Sequence, residues 1–184
     1  MAQAYIFLAD GFEEIEGLTV VDLFRRVDIA ISMVSINKTN MVTGAHQIEI
    51  KADRIFEEVD YNDGDILILP GGMPGTNHLM EHEGLDRLLK DFNSKGKLLA
   101  AICAAPSVLG QKNILSGKKA TCYPGFEEKL IGAQVVKDGV VEDGNVITSK
   151  GMGTAIDFSL ALIKRLKGED VAKKLAASIQ YNYY

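Results

Sequence analysis

Apolar residues in this chain alternate between two rhythms. Short unbroken runs, Ala4–Ala9 (AYIFLA), Ile29–Ile36 (IAISMVSI), Asp65–Leu69 (DILIL) and Leu98–Ile102 (LLAAI), read as strands buried on both faces. Between them apolar side chains recur at helical spacing. Ile15, Leu18, Val21 and Leu23 or Phe24 predict a helix from about Glu13 to Arg26, with Glu13 and Glu14 at its positive end. Leu79, Leu85, Leu88, Leu89 and Phe92 predict another, ended by Gly96. A helix opens at Pro106, a long one runs from Ala155 to Lys167, and Gly168-Glu169-Asp170 starts a last one to about Ile179. Strands alternating with helices predict an α/β fold with a doubly wound, mostly parallel sheet and helices on both faces.

Smaller features fill the intervals. Thr39–Lys51 holds a hairpin-like excursion around Thr43-Gly44, with Gln47–Lys51 alternating as a half-exposed strand does. Lys119–Tyr123 reads as a short strand broken by Pro124-Gly125, and Phe126–Ile131 as a brief helix. Two Asp-Gly signals, at Asp138-Gly139 and Asp143-Gly144, predict a small antiparallel element before Val146–Thr148 rejoins the sheet. The tail QYNYY is expected at the surface or against a partner.

In a doubly wound sheet, ligands bind beyond the carboxyl ends of the strands. Three segments reach that edge: Asp10–Glu16, Pro70–Gly75 and Cys103–Pro106. The last is the most informative, because the strand Leu98–Ile102 passes without a linker through Cys103-Ala104-Ala105 into a helix. A turn this sharp is a nucleophile elbow: it holds Cys103 out beside helix N–H donors, a setting that lowers a thiol pKa. A lone cysteine after an apolar run also fits a small core residue. Glu16, in the first turns of the first helix, is the best acid or base; its ordinary reading is a solvated face residue. If it packs against the Cys103 sulfur, the two cannot both be anions, and one proton is shared with the carboxyl donating to the thiolate. Gly71 and Gly72, with Ala104, are candidates to offer backbone N–H groups to an oxyanion; their alternative role is an ordinary tight turn.

Composition narrows the classes. The 184 residues, 47% hydrophobic with 18 glycines, are expected to form a single domain over 1–184. A net charge of −5 and no basic run give no footprint for nucleic acid or anionic membrane. No run reaches transmembrane length, and the N-terminal MAQAYIFLADGF lacks a signal-peptide pattern, so the expected compartment is the cytoplasm. Two cysteines, Cys103 and Cys122, argue against a zinc cluster, a redox pair or a structural disulfide. His46, His78 and His82 are scattered surface-type residues without metal spacing. GGMPG and KGMGTA match neither the dinucleotide nor the P-loop pattern, so neither a metal nor a cofactor is expected.

Four segments in order, ADGFEEIE, LPGGMPG, AAICAAPSVL and ITSKGMGTAIDFSLALI, resemble the ThiJ/PfpI superfamily, and within it the branch of the parkinsonism-associated deglycase. The resemblance implies a flavodoxin-like α/β sandwich, usually a homodimer, with Cys103 as an oxidation-prone nucleophile and Glu16 as its protonated partner. It also implies an oxyanion site at Gly72 and Ala104. The implied activity is cofactor-independent: conversion of α-oxoaldehydes such as methylglyoxal to lactate, removal of early glycation adducts from side chains or nucleotides, or both. A redox-sensing or chaperone-like role for an oxidisable Cys103 is the alternative. Two departures from the superfamily bear on this. Its peptidase-like branches carry a histidine where this chain has Ala104, which disfavours a peptidase or amidase. Relatives carry a histidine near the site where this chain has Tyr123, a donor but a poor base. His46 stands where relatives often have an arginine that reaches the site across the dimer.

Overall fold

A computed structural model describes residues 2–182. Its strands are β1 (Gln3–Leu8), β2 (Ala30–Ser35), β3 (Met41–Thr43), β4 (Glu49–Lys51), β5 (Arg54–Ile55), β6 (Ile66–Leu69), β7 (Leu98–Ile102), β8 (Lys119–Ala120), β9 (Gln134–Val135), β10 (Val140–Asp143) and β11 (Val146–Ser149). The helices are α1 (Glu14–Arg26), α2 (Gly75–Glu81), α3 (Glu83–Ser94), α4 (Pro106–Gln111), α5 (Ala155–Lys167) and α6 (Glu169–Ser178). Seven strands form one sheet in the order β10-β11-β7-β6-β1-β2-β5, parallel except for β10, which returns antiparallel on β11. This is the expected flavodoxin-like arrangement.

Period-two alternation explains why the central strands read as unbroken apolar runs. Ala4, Ile6 and Leu8 face the layer of α1, α5 and α6, where Phe24, Phe158 and Leu162 are fully buried. Tyr5, Phe7 and Ala9 face the opposite layer of α2, α3 and α4, with Leu69, Leu89, Phe92 and Leu109. Each face has its own core, so neither face of a central strand can carry a polar residue cheaply. No helix among the described residues is long and apolar enough to cross a membrane.

Several local expectations are corrected. The helix through Leu79 and Phe92 is two helices, broken at His82 (φ −74°, ψ 104°), whose Nδ1 accepts from Leu85 N–H at 3.0 Å and starts α3. The ring of His82 is half-buried against Phe56, at 4.5 Å between centroids, so it is no plain surface residue. The six-residue gap between Leu79 and Leu85, off helical spacing, was the sign. Lys119–Tyr123 keeps strand geometry only at Lys119–Ala120 and pairs with β9 outside the main sheet. Phe126–Ile131 holds only a 3-10 turn, Glu127–Lys129. In the tail, Tyr181 packs on the core and donates to Asp157 Oδ1 at 2.8 Å; Tyr183 and Tyr184 lie outside the described residues.

Phe158 is the largest side chain that α5 buries in its layer. Phe158→Ala is expected to destabilise the protein by about 3–5 kcal/mol, read as a lower urea midpoint at unchanged slope.

Candidate active site

β1, β6 and β7 are neighbours, and their carboxyl ends bring the three expected segments together. At the end of β7 the chain reverses through Cys103, which has φ +65°. A non-glycine residue in that region is strained by about 1–2 kcal/mol, and both its backbone groups are pinned. Cys103 N–H donates to Ser149 O at 2.9 Å, and Tyr123 N–H donates to Cys103 O at 2.8 Å. The half-buried side chain is thereby aimed at the loop after β6. A Cβ on Gly71 would lie 2.5 Å from Cys103 Cβ and 2.5 Å from Glu16 Oε2, so no larger residue fits there.

Glu16 projects into the same space from the first turn of α1 and is 1% exposed. Its Oε2 accepts from Gly71 N–H at 3.0 Å, Met152 N–H also donates to the carboxylate, and the side chain is hydrogen-bonded to Cys103. Burial pushes the Glu16 carboxyl up to about 7 against the pull of these donors. Burial also pushes the Cys103 thiol up to about 12, with the Glu16 charge and hydrogen bond adding to it. The N–H groups of Ala104 and Gly72 act the other way. This is the reverse of the direction expected of a thiol at a helix start: α4 has only six residues, begins three positions after Cys103, and cannot outweigh desolvation beside a carboxylate. The two groups titrate as a unit. The first proton leaves near neutrality, and the second stays in the Cys103–Glu16 hydrogen bond far into the alkaline range. A thiolate arises in that one-proton state when Glu16 holds the proton.

The remaining sequence candidates divide. Gly72 N–H and Ala104 N–H are directed at the sulfur, whereas Gly71 N–H is engaged by Glu16. Gly72 has φ +92°, and a Cβ there would lie 2.2 Å from Glu13 N, so this donor depends on glycine. The Tyr123 ring, 51% exposed, packs 3.3 Å from the Cβ position of Gly151. His46 does not join the pair: on the β3–β4 hairpin, its Nδ1 lies 3.0 Å from Glu14 Oε2 and 3.6 Å from Glu13 Oε1. The Glu14 bond raises His46, and the same bond with backbone donors outweighs burial to lower Glu14. Among the described residues Glu13, Glu14 and His46 bring three ligand atoms within 4.8 Å, a grouping that histidine spacing along the chain cannot reveal. Sequence reasoning also missed Met152, whose contribution is a backbone N–H. The signal was topological, since its loop follows β11, the parallel neighbour of β7. The second cysteine, Cys122, is buried, and burial pushes its thiol up to about 11.

The model of the DJ-1/PfpI family matches residues 2–165. Protein dj-1beta of Drosophila melanogaster is 35% identical over 182 residues, covering 98% of this chain and 97% of that protein. A protein named as a deglycase from Pyrococcus abyssi is 32% identical over 164 residues, covering 88% of this chain and 98% of its own. The structure of oxidised DJ-1 from Toxoplasma gondii superposes with a TM-score of 0.96 at 33% identity, covering 100% of both chains.

The shared proton has a kinetic signature. Alkylation of Cys103 by iodoacetamide, followed by peptide mass spectrometry, should rise as pH increases through about 7 and then level off. In Glu16→Gln, where only release to solvent makes a thiolate, the rise should move above the ordinary thiol value of about 8.5.

Proposed function

The chain belongs to the DJ-1/PfpI family, and we propose that it is a cofactor-independent cysteine enzyme acting on α-oxoaldehydes, of the glyoxalase and deglycase kind. The observation that carries this reading is the buried Glu16–Cys103 hydrogen bond at a pinned elbow, with the Gly72 and Ala104 N–H groups on the sulfur. In the one-proton state with the proton on Glu16, the thiolate attacks the aldehyde carbon of methylglyoxal and forms a C–S bond. The carbonyl oxygen becomes an oxyanion that the Gly72 and Ala104 N–H groups stabilise and Glu16 protonates, giving a hemithioacetal. Glu16, now a carboxylate, takes the proton from the former aldehyde carbon and returns one to the adjacent carbon, while the hydroxyl proton of the hemithioacetal passes to the former ketone oxygen. This internal redox step converts the ketone to an alcohol and the hemithioacetal to a thioester. Water then cleaves the thioester, releasing lactate and regenerating the thiol. No external oxidant or reductant enters. A group that both delivers and removes protons needs a pKa near neutrality, which burial gives Glu16.

Early glycation adducts carry the same carbon skeleton on a side-chain nitrogen or sulfur. The relative named as a deglycase supports extending the chemistry to them. A second reading, a redox sensor, is favoured by the same N–H donors, since they would also hold the oxygens of an oxidised sulfur. The relative solved in oxidised form supports it.

A cytoplasmic homodimer completes the proposal. Along α1 runs a groove of about 510 Å³ whose wall includes Ile15, Leu18, Ile48, Ile156 and Ile179, with Ile15 and Ile48 about half exposed. A second copy of the same groove buries this apolar strip symmetrically, and Asp22 and Arg26 on its rim supply both charges for contacts across a twofold axis.

Two outcomes are expected. Lactate should form from methylglyoxal without added cofactor, disappear in Cys103→Ala and fall roughly a hundredfold in Glu16→Gln. No lactate above the free-thiol background would sink the enzyme reading. Ile15→Glu should convert a dimer to a monomer by sedimentation equilibrium.

A further inference from the structure

We infer that the cleft beside Glu16 is a substituent pocket, and that Tyr123 and Met152 make the protein selective for α-oxoaldehydes bearing a flat apolar group over methylglyoxal. The inference rests on the proposed reaction and names the substrate class within it. The cleft has a volume of about 310 Å³ and is lined by Tyr123, Pro124, Lys150, Gly151, Met152 and Thr154, together with Gly153. It adjoins the reacting groups. The Cβ position of Gly151 lies 3.3 Å from the Tyr123 ring and 3.9 Å from Glu16 Oε1, so this one glycine separates the cleft from the carboxylate. Met152 N–H donates to that carboxylate and Met152 also lines the cleft, and Tyr123 N–H holds the Cys103 carbonyl at 2.8 Å. Both walls are thus fastened to the pair that does the chemistry.

Tyr123 and Met152 are 51% and 52% exposed, and the other aromatic rings among the described residues are buried or half-buried. A tyrosine ring presents a face on which a flat group stacks, and a methionine in the same lining adapts to that group's outline. The methyl of methylglyoxal leaves most of such a cleft filled with water, whereas an aryl group displaces that water from apolar walls. Lys150 lies on the shared wall between this cleft and a second one of about 390 Å³, leaving room beyond the ring for a longer or polar tail. Gly151 keeps the boundary between the cleft and the carboxylate thin: a Cβ there would crowd the tyrosine ring at 3.3 Å.

The test compares product formation from phenylglyoxal (mandelate) and methylglyoxal (lactate) for the wild type, Tyr123→Ala and Met152→Ala. Both residues are half exposed, so neither substitution threatens folding, and Met152→Ala keeps the backbone N–H that Glu16 uses. The wild type is expected to favour phenylglyoxal in kcat/KM by roughly tenfold. Each variant should lose about five- to tenfold more on phenylglyoxal than on methylglyoxal, the loss appearing mainly in KM, while Met152→Leu keeps the selectivity. Turnover of both aldehydes with a wild-type ratio at or below one, or with equal losses on both, would overturn this assignment and leave the reaction standing. Failure to turn over either aldehyde would overturn the reaction itself.

Discussion

A carboxyl and a thiol buried against each other have room for one negative charge, and the geometry of the site follows from that constraint. Two anions in contact and out of water would repel each other with neither fully solvated. The fold supplies directed N–H donors to both: Gly71 and Met152 to Glu16, Gly72 and Ala104 to the sulfur. These donors come from the loops after β6, β7 and β11, while Glu16 itself comes from the helix after β1. The sheet order places those strand ends side by side, so the doubly wound topology is what assembles the pair.

The pair in turn dictates the glycines. Gly71 has no side chain because Cys103 and Glu16 occupy the space, and Gly72 has none because the start of α1 does. Glu13 N–H donates to Gly71 O at 2.9 Å and Gly75 N–H to Gly11 O at 3.2 Å, lacing the loops after β1 and β6 together. Each loop braces the other. A shift in either would move both the acid and its N–H donors, which binds site geometry to loop packing more tightly than to any one side chain.

Much of this is legible in the sequence alone. Unbroken runs such as Ala4–Ala9 identified doubly covered strands, and Leu98–Ile102 running straight into Pro106 marked Cys103 as the elbow. Glu16 stood out by its place at the start of the first helix. What stayed hidden was the destination of backbone donors. Gly71 and Glu16 meet across 55 residues, and nothing in a glycine's identity says whether its N–H faces a sulfur or a carboxylate. Met152 contributes through an atom every residue but proline carries. The short edge strand β5 escaped because two residues carry no periodicity, and the break at His82 left only the off-period step from Leu79 to Leu85. The Cys103 thiol moves opposite to the direction its helix position implies for a related reason: helix position is local in sequence, but burial and a neighbouring carboxylate are tertiary facts.

The arrangement also sets where the protein gives up stability. Burial favours the neutral form of Glu16, so the folded pKa lies above that of an unfolded glutamate near 4.3. Its folding contribution is complete below that unfolded value and is lost as pH rises toward about 7. The Cys103 backbone adds strain of its own. A chain selected only for stability would place a neutral acceptor such as glutamine at position 16, which could still take the Gly71 N–H without a buried charge. Keeping an ionisable group there retains a proton that can change partners near neutral pH and move between oxygen and sulfur. The two well-filled cores on either side of the sheet carry the fold while the strand ends hold this unfavourable pair in place.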